Sequence, residues 1–152
     1  MTTPPPKGKA APPASAPRPP TALGSVDYQA LLRDGARNVG AQDVAAVARH
    51  ARAIKSRSGA LAGSHPRLAA RVRLLADLVL DYSRKRYRKV SIRVVRAATY
   101  ALLYFLSPDD VVPDPIPLVG FGDDEAILGL VFYFAEEDLR DYSSWKGVPF
   151  PE

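Results

Sequence analysis

Cysteine is absent from the 152 residues, so neither a disulfide nor a thiolate metal site can form. No apolar run approaches the roughly 20 residues that a spanning helix needs. The first twenty residues are rich in proline and alanine and hold no apolar core of the secretory type, so no signal peptide is expected. Histidine is scarce: His50 and His65 stand in the sequence without an evident carboxylate or nucleophile partner. Ser107 precedes a proline and has no base in reach, and Gly120-Phe121-Gly122 is too short to cradle phosphate. These gaps argue against an enzyme. No alternating strand pattern and no internal repeat stands out, which leaves an all-α reading.

Charge is present, and it is uneven. Residues 1–96 hold nineteen Lys and Arg against five Asp, whereas residues 97–152 hold two against eleven Asp and Glu. Two halves folding on one another would partly cancel this, and that is the preferred reading. The sharper alternative is a basic face that meets the phosphates of lipid or nucleic acid.

Along the chain, residues 1–24 read as a disordered, polyproline-like tail. Residues 25–63 read as two short accessory helices. Ser25 is the expected N-cap of the first, Asp27 falls in its first turn, and Gly35 and Gly40 weaken it. Residues 42–56 form the second, with Val44, Val47, Ala48, Ala51 and Ile54 on one face. Residues 64–152 read as the main helical domain. Its first helix starts at Ser64, tolerates Pro66 early, and runs to about Arg86 along the seam Leu68, Val72, Leu75, Val79 and Tyr82. Ser91 caps the next helix, which is apolar nearly all round from Ala97 and ends at Pro108. A last helix begins near Asp123 or Asp124, shows a face of Ile127, Leu130, Val131 and Phe134, and reaches Trp145. These last two helices are expected to form a central antiparallel hairpin, with the two accessory helices as a looser cover.

The connection between them holds Pro108, Pro113, Pro115 and Pro117 together with Asp109, Asp110 and Asp114, so nearly every position restricts the backbone. This segment, with Ala101-Leu102-Leu103-Tyr104-Phe105 before it and Asp123-Asp124 after it, resembles the YkvA-like family of small bacterial helical proteins. Pro108, Asp110, Pro113, Asp114, Pro117 and Gly120 match that family's loop. The stretch from Asp81-Tyr82 to Lys89-Val90 is similar to its basic approach segment, and Asp138-Leu139 and Trp145 to its C-terminal end. The likeness covers roughly residues 72–146. Asp109 and Pro115 depart from it, replacing apolar or aromatic positions and making the loop stiffer and more polar. The resemblance implies a helical fold with no settled activity and an association with membranes.

Three roles compete for Asp110, Asp114, Asp123 and Asp124. Capping and turn-making comes first, at about 1 kcal/mol per cap. A salt-bridge network with the upstream arginines comes second, and is compatible with it. A divalent site comes third: carboxylates alone would select Mg, Ca or Mn, but the spacing is not that of an EF-hand. No cofactor is therefore expected.

Residues 84–96 carry seven cations and no acid: Arg84, Lys85, Arg86, Arg88, Lys89, Arg93 and Arg96. Such a stretch beside apolar surface attracts an anionic membrane face. The apolar runs 97–106 and 126–135 measure about 15 Å each as helix, so burial in a protein core is easier than crossing lipid. Tyr82 and Tyr87 interleave with the cations as a nucleic-acid platform would, but packing is the preferred role for both. The expectation is a non-catalytic interaction or scaffold module in the cytoplasm, touching the inner face of the membrane or a protein partner through residues 84–96. A metal-binding domain or metal-dependent enzyme, and a nucleic-acid binder, are the alternatives.

Overall fold

The computed structural model describes residues 27–106 and 122–152, with side chains described over 27–106 and 124–152. The expected tail and most of the Pro/Asp segment lie outside these residues. Among the described residues every regular element is helical: α1 (Tyr28–Arg37), α2 (Ala41–Arg49), α3 (Ala51–Gly59), α4 (Pro66–Ser83), α5 (Ile92–Phe105), α6 (Gly122–Phe134) and α7 (Glu136–Lys146).

Several boundaries differ from the sequence reading, each for a local reason. Asp27 is itself the N-cap of α1, its Oδ1 accepting from Ala30 N at 3.0 Å; Ser25 lies outside the described residues. Gly40 is the N-cap of α2, and Asp43 reaches back to accept from its N–H at 2.9 Å. The expected helix over 42–56 is two helices. Its apolar stripe continues, but His50 sits at φ −102°, ψ 13° and its Nδ1 donates to Ala46 O at 2.8 Å, which breaks the ladder. α4 begins at Pro66 with His65 as N-cap, while Ser64 Oγ bonds His65 Nδ1 at 2.9 Å. The expected last helix also divides, at Ala135. Three consecutive acids, Glu136, Glu137 and Asp138, form the first turn of α7, where the helix dipole favours them and a fresh start is stabilised.

Contacts fix the directions. The short connection 84–91 makes α4 and α5 antiparallel neighbours. Arg71 of α4 lies over the Phe132 ring at 5.1 Å and feels the charge of Glu125, both on α6. Asp81, ten residues further along α4, meets Tyr142 and Lys146 of α7. α6 and α7 therefore follow the direction of α4, and α5 and α6 form the central antiparallel hairpin.

α5 is the middle of the bundle, packed by α1, α2, α4 and α6. Val95, Ala98, Ala101, Leu102 and Phe105 are buried, as are Tyr100 and Tyr104 on its other side. Its all-round apolar character thus answers to protein, not lipid. The seam of α4 is buried as read at Leu68, Val72, Leu75 and Val79, with Tyr82 half-buried. α6 turns a different face inward: Ile127, Leu128, Val131 and Phe132 are buried, whereas Phe134 and Tyr133 are 61% and 74% exposed.

The first three helices join this core. Leu32, Val47 and Ile54 are buried in the same cluster as α4 and α5, and Lys55 of α3 pairs with Asp77 of α4 at 2.7 Å. Gly35 has a specific reason to be glycine: the Tyr100 ring of α5 packs directly over its Cα, where a Cβ would have to go. It marks a close helix–helix approach.

Candidate functional site

The seven cations of residues 84–96 are all exposed; Arg93 and Arg96 stand at the start of α5, and the turn that displays the other five is pinned at several points. α4 stops because Lys85 adopts the left-handed conformation, φ 62°. Arg86 N then donates to Asp81 O at 2.8 Å and Lys85 N to Tyr82 O at 3.0 Å, the paired closing bonds of a Schellman motif. Tyr87 and Val90 turn inward and are buried, and Ser91 Oγ caps α5 by accepting from Val94 N at 3.3 Å.

A non-glycine residue in the left-handed region carries strain of roughly 1–2 kcal/mol. Lys85→Gly is therefore expected to raise stability by up to about 1 kcal/mol, after the extra freedom of glycine in the unfolded chain is subtracted. Lys85→Ala, which removes the same charge, should show no such gain. Chemical denaturation of the pair checks this.

Asp81 holds the turn to α7. Its carboxylate is 1% exposed and receives three donors. Tyr142 Oη donates at 2.6 Å and Lys146 Nζ at 2.9 Å, both to Oδ2, and the Arg86 guanidinium stands 3.2 Å from Oδ1. Burial pushes the carboxyl upward, but the hydrogen bonds from Tyr142 and Lys146 and the charges of Lys146 and Arg86 outweigh it, so its pKa lies below the ordinary value. Burial, with the bond to Asp81, drives the Tyr142 phenol well above its ordinary range.

An aromatic cluster completes the join. The Tyr87 ring lies 5.0 Å from Tyr142 and 4.9 Å from Trp145, and Trp145 stacks on Tyr142 at 5.8 Å. Arg88 lies 4.3 Å over the Tyr82 ring. Tyr87 is thus a packed residue, as expected, while Tyr82 is half-buried beneath a cation. Burial, and then the charges of Asp141 and Asp138, raise the Tyr87 pKa.

Among the described residues, Arg86 alone of the seven cations closes an ion pair, and its partner is Asp81 on the preceding helix. Arg84, Lys85, Arg88, Lys89, Arg93 and Arg96 close none there.

The remaining candidates are placed as follows. Pro108, Asp110, Pro113, Asp114, Pro117 and Gly120 lie outside the described residues. Asp123 and Asp124 fall in the first turn of α6; the side chain of Asp123 lies outside the described residues, and Asp124 is 2% exposed. Among the described residues no three His, Cys, Asp or Glu gather closely enough to hold a metal ion. Nor is any described helix long and apolar enough to cross a membrane. A cleft of about 500 Å³ opens beside the start of α4, between His65, Arg67 and Arg71 on one side and Glu125 on the other.

Sequence reasoning missed Asp81, Tyr142 and Lys146 as a unit. One signal was present: Asp81 continues the spacing of Leu74 and Leu78, so an acid stands on a buried stripe. Its partners are 61 and 65 residues away and carry no mark of their own.

Residues 95–130 match a protein family of unknown function (DUF1232). That span opens in the first turn of α5 and reaches the middle of α6, so it coincides with the central hairpin. Over 70 residues the chain is 32% identical to YkvA, an uncharacterized membrane protein of Bacillus subtilis (strain 168), covering 46% of this chain and 66% of that one. The chain thus spans just under two thirds of its relative's length. No solved structure matches. With a family model on the hairpin and a relative matched over 70 residues, the chain carries a YkvA-like domain of unknown function.

Proposed function

We propose that the protein is a non-catalytic helical module that docks on anionic membrane surfaces, at the inner face of the membrane, through residues 84–96. One observation carries this reading: six exposed cations without an ion pair among the described residues stand on one short stretch, Arg84, Lys85, Arg88 and Lys89 on a turn tied down by Asp81, buried Tyr87 and the Ser91 cap, and Arg93 and Arg96 at the start of α5. A backbone already held in place has little to order on meeting a charged surface, and each cation contributes up to about 1 kcal/mol there. The inward faces of the hairpin are buried in protein and support the basic stretch from behind. The relative's description as a membrane protein is compatible with such a role.

Flotation with vesicles tests it. The full chain should rise with vesicles containing phosphatidylglycerol, stay behind with phosphatidylcholine alone, and be released as salt is raised. The double variant Arg93→Glu, Arg96→Glu should weaken retention by at least about 2 kcal/mol, roughly thirtyfold, with an unchanged melting profile. No retention on anionic vesicles at low salt would refute the reading. A shift of labelled DNA or RNA at physiological salt, without vesicle retention, would establish the nucleic-acid alternative in its place.

A further inference from the structure

The aromatic cluster leaves one large apolar group facing water beside the basic turn. Trp145 is 51% exposed, although both of its ring neighbours, Tyr87 and Tyr142, are buried. Its position is fixed from two sides. The Tyr87 ring that it touches belongs to the residue between Arg86 and Arg88, and the next residue, Lys146, meets Arg86 on the two oxygens of Asp81. The half-exposed indole therefore stands beside the turn that carries Arg86 and Arg88. Ile92, 43% exposed, adds a second apolar group within the same segment. Asp138 and Asp141 also stand near Tyr87, so the patch is not uniformly basic; the unpaired cations of residues 84–96 outnumber them.

Cations with a tryptophan beside them have a definite physical match. Indole is most stable where an apolar ring and a polar N–H both find partners, at the level of lipid headgroups. Lys and Arg around it meet the phosphates at the same depth. A purely electrostatic contact would have no use for the ring, and a packed core would have covered it.

Resting on the docking function above, we infer that Trp145 is the interfacial anchor of this surface: it enters the headgroup layer of an anionic bilayer while Arg84, Arg88, Lys89 and Arg93 pair with phosphates around it. Electrostatics bring the protein to the membrane, and the indole gives the bound state a component that salt does not screen.

Trp145 is the single tryptophan of the chain, so its emission reports this site alone. The full chain is titrated with phosphatidylglycerol/phosphatidylcholine vesicles, with and without brominated acyl chains, while flotation measures binding in parallel. The expected result is a shift of emission to shorter wavelength, quenching by the brominated lipid, and residual retention at high salt. Trp145→Ala should lose about tenfold in vesicle affinity, and Trp145→Phe, which keeps the stacking on Tyr142, should lose less. Should Trp145→Ala fail to fold, emission and quenching of the unaltered protein decide alone. Flotation with unshifted, unquenched emission would overturn the anchor and leave the docking function standing. Absence of flotation would end both. Quenching by a single-stranded oligonucleotide with no response to vesicles would assign the ring to base stacking and refute the anchor.

Discussion

Asp81→Ala is expected to lower the unfolding free energy by about 3 kcal/mol, with a fall in Tm on the order of 10 °C. The size of the loss is set by which donors are left without a partner. Arg86 and Lys146 are half- to one-third exposed, so their charges can turn to water when the carboxylate is removed. Tyr142 cannot: it is fully buried, and its hydroxyl would be left without its 2.6 Å acceptor. An orphaned buried hydroxyl costs about 1–3 kcal/mol, and the lost tether between the turn and α7 adds to it. Tyr142→Phe should be milder, about 1–2 kcal/mol, because the carboxylate keeps its two cations. The double variant should cost less than the two single losses added, since they share one bond.

The same group sets an acid limit. Its folded-state pKa lies below the ordinary value of 3.8. The stabilisation is therefore complete above about pH 4, where the unfolded carboxyl is also ionised, and is lost as pH falls through the lower folded-state value. Tyr142 mirrors this at the other end. Its raised pKa means that its share is complete below about pH 10 and is lost above it. Melting curves across pH should show the native protein losing its advantage over Asp81→Asn on the acid side. A constant difference from pH 6 down to pH 2 would contradict the assignment.

Gly35→Ala is expected to destabilise by about 2–3 kcal/mol, although alanine is the better helix former by about 1 kcal/mol. The added methyl would fall within the van der Waals envelope of the Tyr100 ring. That ring has nowhere to go: Tyr100 is buried, Tyr104 lies 6.0 Å away, and Tyr100 Oη has no hydrogen-bond partner among the described residues. Shrinking the ring should reverse the sign. In a Tyr100→Leu background, Gly35→Ala should be neutral or stabilising by up to about 1 kcal/mol. Equal losses in both backgrounds, read by urea denaturation, would show that the α1–α5 approach does not limit the substitution.

These two sites mark where the sequence stopped being legible. The seam of α4 and the core side of α5 could be read because period and apolarity agree over three or more turns, and Ser91 could be read because a cap is local. The exposure of the seven cations in residues 84–96 could be read from charge alone. The packing role of Gly35 could not be read because a helical glycine looks the same in sequence whether it loosens a helix or admits a neighbour. The breaks at His50 and Ala135 were invisible because the apolar stripe carries on across one and neither has a proline or glycine to mark it. The face of α6 was misassigned because nearly every side chain from Ala126 to Phe134 is apolar, so periodicity has no contrast to work with. Asp81 stood on a buried stripe, yet its role depended on a hydroxyl and an ammonium that only the fold brings near.

That separation has a consequence for how the protein is made. During synthesis Asp81 leaves the ribosome some sixty residues ahead of Tyr142. Until those residues emerge, the rest of the bundle must either delay closing around the carboxylate or leave it wet. The latch is thus a check on completeness: a chain broken off before Tyr142 would possess the whole central hairpin and still lack the donors that make its buried charge tolerable. Such fragments should be looser than their residue count suggests, and ready substrates for proteolysis.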